Sequence, residues 1–292
     1  MAGDGGKPTQ QPHAHHPHHH AHIKTADSGT PVGQIAVVGL VIALLGGGGL
    51  WYLNRKGEDN KLNTLFVSAE ARHISTVNGQ RGDVTLSDGS KLTIGPSTKL
   101  TIIPKYNEQY RGVMVEGTTA FEVKDSPAVP LEIRAGGAAL VLASGSVVVR
   151  SYADEGESYI KIASGSGELR AKDVRRQVTG PVAVKVGKDS SITDADAAAA
   201  DLATSWVGGT VKINEMPLKG VLKLFDKYYA LNMKVTDEGL LARPVTMEAQ
   251  LDSKQKAISA LEASAGVKFA YDGNTPMLKD NPGAAKKAAA KK

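Results

Sequence analysis

Short segments in which hydrophobic and polar positions alternate fill the middle of the chain, between Val77 and Val186. Alternation with a period of two is typical of half-buried strands, because successive side chains of a strand point to opposite faces. Clusters of Gly, Asp, Ser and Pro separate the segments about every 8 to 12 residues. The pattern predicts an all-β domain of antiparallel strands, with the segments DVTLS, KLTIG, LTIIP, GVMVEG, AFEVK, PLEIRA, ALVLA, SVVVRSY, YIKIAS, GELRA and PVAVKV.

One turn between these segments has a defined sequence, Asp88-Gly89-Ser90. Asp-Gly is a favoured pair for type I′ hairpin turns, which need two residues with positive φ. We therefore expect a type I′ hairpin at this position.

From Thr210 the apolar spacing changes to a mixture of helical and strand periods. The strands TVKIN, MKVT, PVTMEA and VKFAYDG alternate with the helices MPLKGVLKLFDKYYALN and DSKQKAISALEASAG. This order predicts a small α+β domain of the βαββαβ type. The helix positions expected to face its core are Leu218, Val221, Leu222, Phe225 and Tyr229, and then Ile258, Leu261 and Ala265.

An uncharged apolar run extends from Val32 to Leu53. Its 22 residues match the length that an α-helix needs to cross a bilayer. Trp51 and Tyr52 lie at its end, where aromatic rings prefer the membrane interface. Residues 32–53 are therefore predicted to form a single transmembrane helix in contact with lipid. A cleaved signal peptide is disfavoured, because some thirty polar residues precede the run and no small-residue cleavage pattern follows it.

The composition excludes several classes of protein. The chain has no cysteine, which excludes disulfide scaffolds and thiolate chemistry. Most of its net charge of +5 lies in the Ala/Lys-rich end, residues 275–292, which we expect to be disordered. The remainder is nearly neutral, so nucleic acid is not an expected partner.

Histidine is concentrated in the N-terminal arm, residues 1–31. Clustered imidazoles can bind transition metals, but a flexible arm has no geometry or second shell to fix them. We expect a disordered arm and no dedicated metal site or cofactor. The histidines of the arm are His13, His15, His16, His18, His19, His20 and His22.

The sequence offers no convincing catalytic set. His73 is the only histidine outside the arm, so a histidine-based triad or metal site lacks partners. Two carboxylate pairs could in principle serve glycoside hydrolysis, Asp83 with Asp88 and Glu116 with Glu122. We expect these four to be solvated charges of turns and strand edges, and we predict no enzyme.

The ordered segments resemble the FecR domain of bacterial envelope regulators. The resemblance rests on VTLSDGSKLTIGPSTKL, VEGTTAFEV, VPLEIRAGGAALVLASGSVVV, GSGELRA and VTGPVAVKV, in that order, over about residues 77–187. The NEMPLKGVLKLF opening of the second domain and the preceding Trp206-Val207-Gly208-Gly209 resemble the C-terminal domain of the same family. That domain is similar to the short N-terminal signalling module of secretins and TonB-dependent transporters.

The expected fold class is mainly β, with a single transmembrane helix, an all-β FecR-like domain and a small α+β domain. Its expected parts are a disordered arm (1–31), the transmembrane helix (32–53), the FecR-like β-domain (60–188), a linker (189–205), the C-terminal domain (206–274) and a disordered tail (275–292).

The resemblance implies a sensor or regulator of transmembrane signalling, anchored in the bacterial inner membrane with its C-terminal domains in the periplasm. It implies protein partners: the signalling domain of a TonB-dependent transporter and an extracytoplasmic sigma factor. The chain departs from the family in one respect, because the short His, Pro and Gly-rich arm cannot form a packed sigma-binding helical domain. The alternative is an envelope scaffold or accessory subunit that packs against a membrane complex.

Overall fold

The structure is a computed structural model of the chain, and it describes residues 61–281. These residues belong to one compact unit, Lys56–Lys292. The predicted His-rich arm and transmembrane helix, together with residues 282–292 of the predicted tail, lie outside the described part of the chain. A search of the described residues finds no helix with the length and apolarity needed to span a bilayer.

The first part of the described chain is a helix over 61–66 (α1) followed by a large sheet. We call residues 72–194 the β-lobe. Its strands are β1 (Arg72–Ser75), β2 (Gly82–Thr85), β3 (Lys91–Ile94), β4 (Lys99–Ile102), β5 (Arg111–Val123), β6 (Leu131–Ala135), β7 (Ala138–Ser151), β8 (Ser158–Ala171), β9 (Val174–Thr179), β10 (Val182–Val186) and β11 (Ile192–Asp194).

The sheet contains three long strands, β5, β7 and β8, and shorter strands pair with parts of them. The main path of hydrogen-bonded neighbours is β1-β4-β5-β6-β7-β8-β10-β11, with β2 on β3, β3 on β5 and β9 on β8. The strand β5 pairs in parallel with β6 along its first residues and antiparallel with β7 from Gly117 onward. The predicted mainly β fold class is confirmed.

Alternation along the strands builds the core of the β-lobe. In β7, for example, Leu140, Leu142, Val147 and Val149 are buried together. Strands β5, β6 and β8 contribute the facing residues Phe121, Leu131, Ile133, Ile160, Ile162 and Leu169.

The turn at Asp88-Gly89-Ser90 does connect β2 to β3, but the predicted type I′ geometry is wrong. Among its residues only Gly89 has a positive φ, of 87°, whereas type I′ needs two. The loop is longer than two residues, because Leu86 N–H donates to the Ser90 carbonyl and Gly89 N–H donates to the Leu86 carbonyl. A single left-handed glycine is what such a longer hairpin loop requires.

The segment predicted as a linker, 189–205, is structured. It contains β11, which pairs antiparallel with β10, and helix α2 (Ala197–Thr204). The Asp196 side chain caps α2 by accepting from the Ala199 N–H at 2.8 Å. The many alanines of this segment indicated a linker because they lack large apolar groups, yet alanine is the strongest helix former.

The second part of the described chain, residues 206–280, is called the α/β-lobe. Its elements are β12 (Thr210–Pro217), α3 (Leu218–Tyr229), β13 (Lys234–Val235), β14 (Pro244–Gln250), α4 (Lys254–Ala265), β15 (Val267–Asp272) and β16 (Thr275–Asp280). They form two small sheets, β12-β14 and β13-β16-β15. The predicted βαββαβ order is present, with β16 added at its end.

The disordered tail was predicted to begin at residue 275, and this is wrong, because residues 275–280 form strand β16. Residues 275–280 pair antiparallel with β15 and in parallel with β13, and Leu278 is buried in the core of the lobe. Its sequence, TPMLKD, contains a proline and two charges, which concealed the strand.

The two helices cover the sheets with the faces that their periodicity indicated, apart from a shift in α3. Ile258, Leu261 and Ala265 of α4 are buried as predicted. In α3, Leu224 and Tyr228 are buried with Leu218, Val221 and Phe225, whereas Leu222 and Tyr229 are only half-buried.

Candidate functional site

The two carboxylate pairs that the sequence offered for catalysis are not joined by any contact, and their members have other partners or are exposed. Asp83 accepts a hydrogen bond from the Thr93 hydroxyl at 2.8 Å, and Asp88 forms an ion pair with Arg111 at 2.7 Å. Glu116 and Glu122 are exposed on β5.

The histidine outside the arm, His73, contacts a threonine hydroxyl in the described part of the chain. His73 Nδ1 lies 3.1 Å from the Thr101 hydroxyl, at an exposed position. Within residues 61–281, no group of three or more His, Asp or Glu side chains is arranged to hold a metal ion.

The functional candidate is instead the contact between the β-lobe and the α/β-lobe. At its centre the Arg150 guanidinium, at the end of β7, donates to both oxygens of Glu155, at 2.8 and 2.6 Å. Its third nitrogen lies 3.4 Å from the Tyr228 hydroxyl of α3. Burial alone would lower the pKa of Arg150, but Tyr228, Glu155 and Tyr152 together hold it above its ordinary value. The guanidinium therefore stays charged while only 3% exposed.

Lys227 of α3 reaches back from the α/β-lobe into the same cluster. Its ammonium lies 2.9 Å from Asp154 and 3.0 Å from Glu155, and 3.9 Å from the centre of the Tyr152 ring. Burial by itself raises the pKa of Asp154, but the Lys227 ammonium outweighs it and the pKa lies below the ordinary value. We call Arg150, Tyr152, Asp154, Glu155, Lys227 and Tyr228 the interlobe cluster.

Backbone and amide bonds extend the contact along the same helix. Gly79 N–H, in the loop after β1, donates to the Lys227 carbonyl at 2.7 Å. The Asn78 amide donates to the Asp226 carboxylate at 2.8 Å. Carbonyls at the end of a helix lack intrahelical partners, so a donor from the β-lobe satisfies one of them.

An apolar contact lies beside the polar one. Ala120 of β5 and Val148 of β7 are cross-strand neighbours that pack against the core of the α/β-lobe. Trp206, only 1% exposed, belongs to that core, and its ring lies against Gly95 of the β-lobe. The two lobes thus share an interface with an apolar part and a part made of ion pairs and hydrogen bonds.

Sequence reasoning missed this interface, although one signal was present. The run Val147-Val148-Val149 is apolar at three consecutive positions, which indicates a strand covered on both faces. Val147 and Val149 face the β-lobe core, and Val148 faces the α/β-lobe. Arg150 and Glu155 carried no comparable signal, because charges in such a segment are typical of a solvated turn.

On three strands of the α/β-lobe, a backbone N–H group is bonded to a side chain. The Lys212 N–H on β12 donates to the Ser205 hydroxyl at 3.1 Å, and the Phe269 N–H on β15 donates to Glu262 at 2.8 Å. On β14, the Ser264 hydroxyl accepts from the Thr246 N–H and donates to its carbonyl. An edge whose polar groups are already bonded is a poor template for another strand. The Lys212 N–H in the strand TVKIN is therefore not free to bond a partner strand.

A crevice of about 230 Å³ lies between the lobes next to the interlobe cluster. The acids on its wall are committed to partners: Asp154 to Lys227, Glu155 to Arg150 and Lys227, and Glu157 to Lys185 at 3.1 Å. Asp154, Glu155 and Glu157 on the wall of the crevice therefore each form an ion pair with a lysine or an arginine.

Residues 72–168 match the family model described as FecR protein. The resemblance recognised in the sequence is thereby confirmed for this segment, which runs from β1 into β8. No curated protein matches the chain significantly.

Two crystal structures of a protein from Parabacteroides distasonis, named a "putative anti-sigma factor", resemble the fold. Each has a TM-score of 0.61, and the sequence identities are 20% and 19%. In both comparisons the alignment covers 72% of this chain and 99% of that chain. The similarity therefore extends over essentially the whole of that crystallised chain and beyond the FecR segment of this one, and at this identity it concerns the fold.

Proposed function

We propose that this chain is a non-enzymatic regulator of the FecR type, which acts by binding other proteins at the bacterial envelope. The observation that carries the proposal is the FecR match over residues 72–168, in a lobe joined by a buried interface to a second lobe. In this proposal residues 32–53 anchor the chain in the inner membrane, and the described lobes lie in the periplasm.

The interlobe cluster supplies a physical route for a signal. A partner that binds the α/β-lobe and displaces α3 would separate Lys227 from Asp154 and Glu155, and would leave Arg150 without Tyr228. Glu155 lies in the β-lobe and stays bonded to Arg150, so the displacement breaks the Lys227 ion pairs and opens the Arg150–Glu155 pair to water. Binding at one lobe is thereby coupled to the state of the other.

The proposed partners follow from the FecR resemblance. They are the signalling domain of a TonB-dependent transporter on the periplasmic side and an extracytoplasmic sigma factor on the cytoplasmic side. Deletion of the gene that encodes this chain should then change transcription from the promoters that the sigma factor recognises.

A topology measurement tests the membrane part of the proposal. Alkaline phosphatase, which is active only in the periplasm, is fused after Asn281, and a matched fusion places it after Lys24. We expect phosphatase activity from the first fusion and none from the second. Activity only after Lys24 would place the lobes in the cytoplasm and overturn the proposal.

A second candidate is an envelope scaffold, and it is favoured where backbone groups of β12, β14 and β15 are bonded to side chains, because a bonded group cannot accept an added strand. Transcript levels separate the two functions. A scaffold would leave the sigma-dependent promoters unchanged on deletion and would reduce the yield of an intact membrane complex instead.

A further inference from the structure

The outer face of the three-stranded sheet β13-β16-β15 is basic. Strand register places Lys268 directly opposite Lys279, Ala270 opposite Met277, and Lys234 beside Met277. The alternate residues, including Leu278 and Phe269, face the core of the lobe. We call Lys234, Lys268, Lys279, Ala270 and Met277 the lysine face.

The charges of this face are only partly compensated. Lys268 lies 3.2 Å from Glu262, whose oxygen also accepts from the Phe269 N–H. Within the described residues, no carboxylate lies within ion-pairing distance of Lys234 or Lys279. All three lysines are exposed, and the ammonium groups of Lys234 and Lys279 are available to a partner.

The pair Lys268–Lys279 lowers the stability of the sheet. Like charges at directly opposed positions of neighbouring strands destabilise the pairing. Two lysines at this position therefore reduce stability, and nothing within the sheet compensates Lys279.

Between the lysines, the half-buried Ala270 and Met277 form a small apolar centre. Methionine is unbranched and polarizable, which makes it suitable for contact surfaces. An apolar centre with a polar, solvent-accessible rim is the usual anatomy of a protein interface.

We propose that the lysine face binds an acidic surface of a partner protein, with Met277 at the centre of the contact. A lipid surface is the less suitable occupant, because clusters that bind anionic membranes use about 4 to 8 basic residues. Here three lysines lie beside Glu262 and Asp272. The inference rests on the proposed function, since it specifies the chemistry of the partner that the α/β-lobe would bind.

The test uses the full chain in its native membrane, with a photo-crosslinking amino acid at position 277. We expect an adduct to one protein, with the crosslinked peptide rich in Asp and Glu. A lipid adduct, or no adduct, would overturn the inference. A chain that still co-purifies with a partner but forms no adduct at 277 would leave the proposed function standing, whereas loss of both would overturn the two together.

Charge variants make the test specific. In the double variant Lys234→Glu with Lys279→Glu, we expect the yield of the adduct to fall about tenfold. Lys254→Glu, at the exposed first residue of α4, is the control for a lysine reversed outside the face, and it should keep the yield. Equal loss in the control would show a general charge effect and contradict the inference.

Thermal unfolding distinguishes a binding role from a structural one. Lys279→Glu places opposite charges across the strands at 268 and 279, so its melting temperature should rise by about 1 to 3 °C while the adduct is reduced. A fall in melting temperature would show that Lys279 stabilises the sheet, and the reduced adduct would then reflect damage to the fold and overturn the inference.

Discussion

Arg111 brings a positive charge into the β-lobe, where its side chain is 0% exposed. Its Nε donates to the Val129 carbonyl at 2.6 Å, Nη1 donates to Asp88 and to the Lys124 carbonyl, and Nη2 donates to the Ala143 carbonyl at 3.1 Å. Asp88 also accepts from Tyr106 and Ser90. A buried ion pair is tolerated when both partners are fully hydrogen-bonded in this way.

Removing one partner of this pair should be strongly destabilising. In Asp88→Ala the Arg111 charge remains buried without its carboxylate, and we expect a loss of about 3 to 5 kcal/mol in the free energy of unfolding. Asp83→Ala is the control, because Asp83 is exposed and bonded only to Thr93, and surface changes of this kind usually stay within about 0.5 kcal/mol. Urea unfolding followed by circular dichroism measures both, and equal losses would contradict the assignment.

The same pair predicts a pH dependence. Burial alone would raise the pKa of Asp88, but the hydrogen bonds from Arg111, Ser90 and Tyr106 outweigh it and hold the pKa below its ordinary value. A lowered folded-state pKa gives stability that is present above the unfolded-state pKa of about 3.9 and is lost as the pH falls through the folded-state value.

Unfolding free energies measured from pH 7 down to pH 2 should therefore decline below about pH 4 in the parent chain. Asp88→Asn has no carboxyl group at this position, so its decline should be shallower. An identical decline in the two proteins would show that Asp88 does not contribute to the acid sensitivity.

At this scale the sequence predicted little, for a physical reason. Asp88-Gly89-Ser90 has the composition of a turn and does form one, so local chemistry explained the motif without Arg111. The partner lies 23 positions further on, at the start of β5. Only the pairing of strands brings the two residues together, and no local pattern encodes that distance.

At the scale of elements, β5 depends on one glycine. Gly117 has a φ of 126°, and a Cβ at this position would lie 2.4 Å from Thr98 Oγ1 and 2.6 Å from Thr98 Cα. It lies where the pairing of β5 passes from β4 and β6 to β3 and β7. The glycine of the segment GTTAFEV thus allows one strand to serve both halves of the sheet.

Three glycine variants separate the causes of this requirement. Gly117→Ala should lose at least about 3 kcal/mol, because positive φ and a backbone clash act together. Gly137→Ala, with a φ of 79° and open space, should lose about 1 kcal/mol, and Gly82→Ala, with ordinary φ and open space, should change little. Thermal unfolding gives the order of the three losses in stability, and a mild effect at Gly117 would contradict the close approach of Thr98.

The elements were largely predictable from the sequence where one face of a strand or helix is buried. Alternation identified β3, β6 and β10, and helical spacing identified α3 and α4. The signal failed for α2 and β16, because an alanine-rich helix has no contrast between its faces, and a strand with proline and charges resembles a tail.

At the scale of the whole molecule, the two lobes behave as parts of one compact unit. Helix α2 contacts β7 and β8 on one side and β12 on the other. The sequence indicated two independent domains, because each has its own apolar pattern. It did not reveal that Val148 and Ala120, on the second face of the large sheet, pack against the second core. The interface consists of contacts between residues distant in sequence, so the pattern of either domain contains only half of it.

The interlobe cluster should determine whether the lobes unfold together. In a parent chain that carries Trp51→Phe, so that Trp206 at the contact is the remaining tryptophan, we expect its fluorescence and the circular dichroism of the strands to change at the same urea concentration. Glu155→Ala leaves Arg150 buried without its carboxylate, and we expect a loss of about 2 to 3 kcal/mol, since Glu155 is 25% exposed and not fully buried.

In Glu155→Ala the two probes should also separate, and a protease should cleave within 189–205 before the β-lobe unfolds. Glu157→Ala is the matched control, because Glu157 pairs with Lys185 on the surface of the same lobe and such pairs contribute at most about 1 kcal/mol. Because the cluster joins α3 to the end of β7, its loss should free the α/β-lobe while leaving both cores intact. Coincident transitions in Glu155→Ala, with the segment 189–205 still resistant, would show that the apolar contact of Trp206, Ala120 and Val148 couples the lobes without the charges.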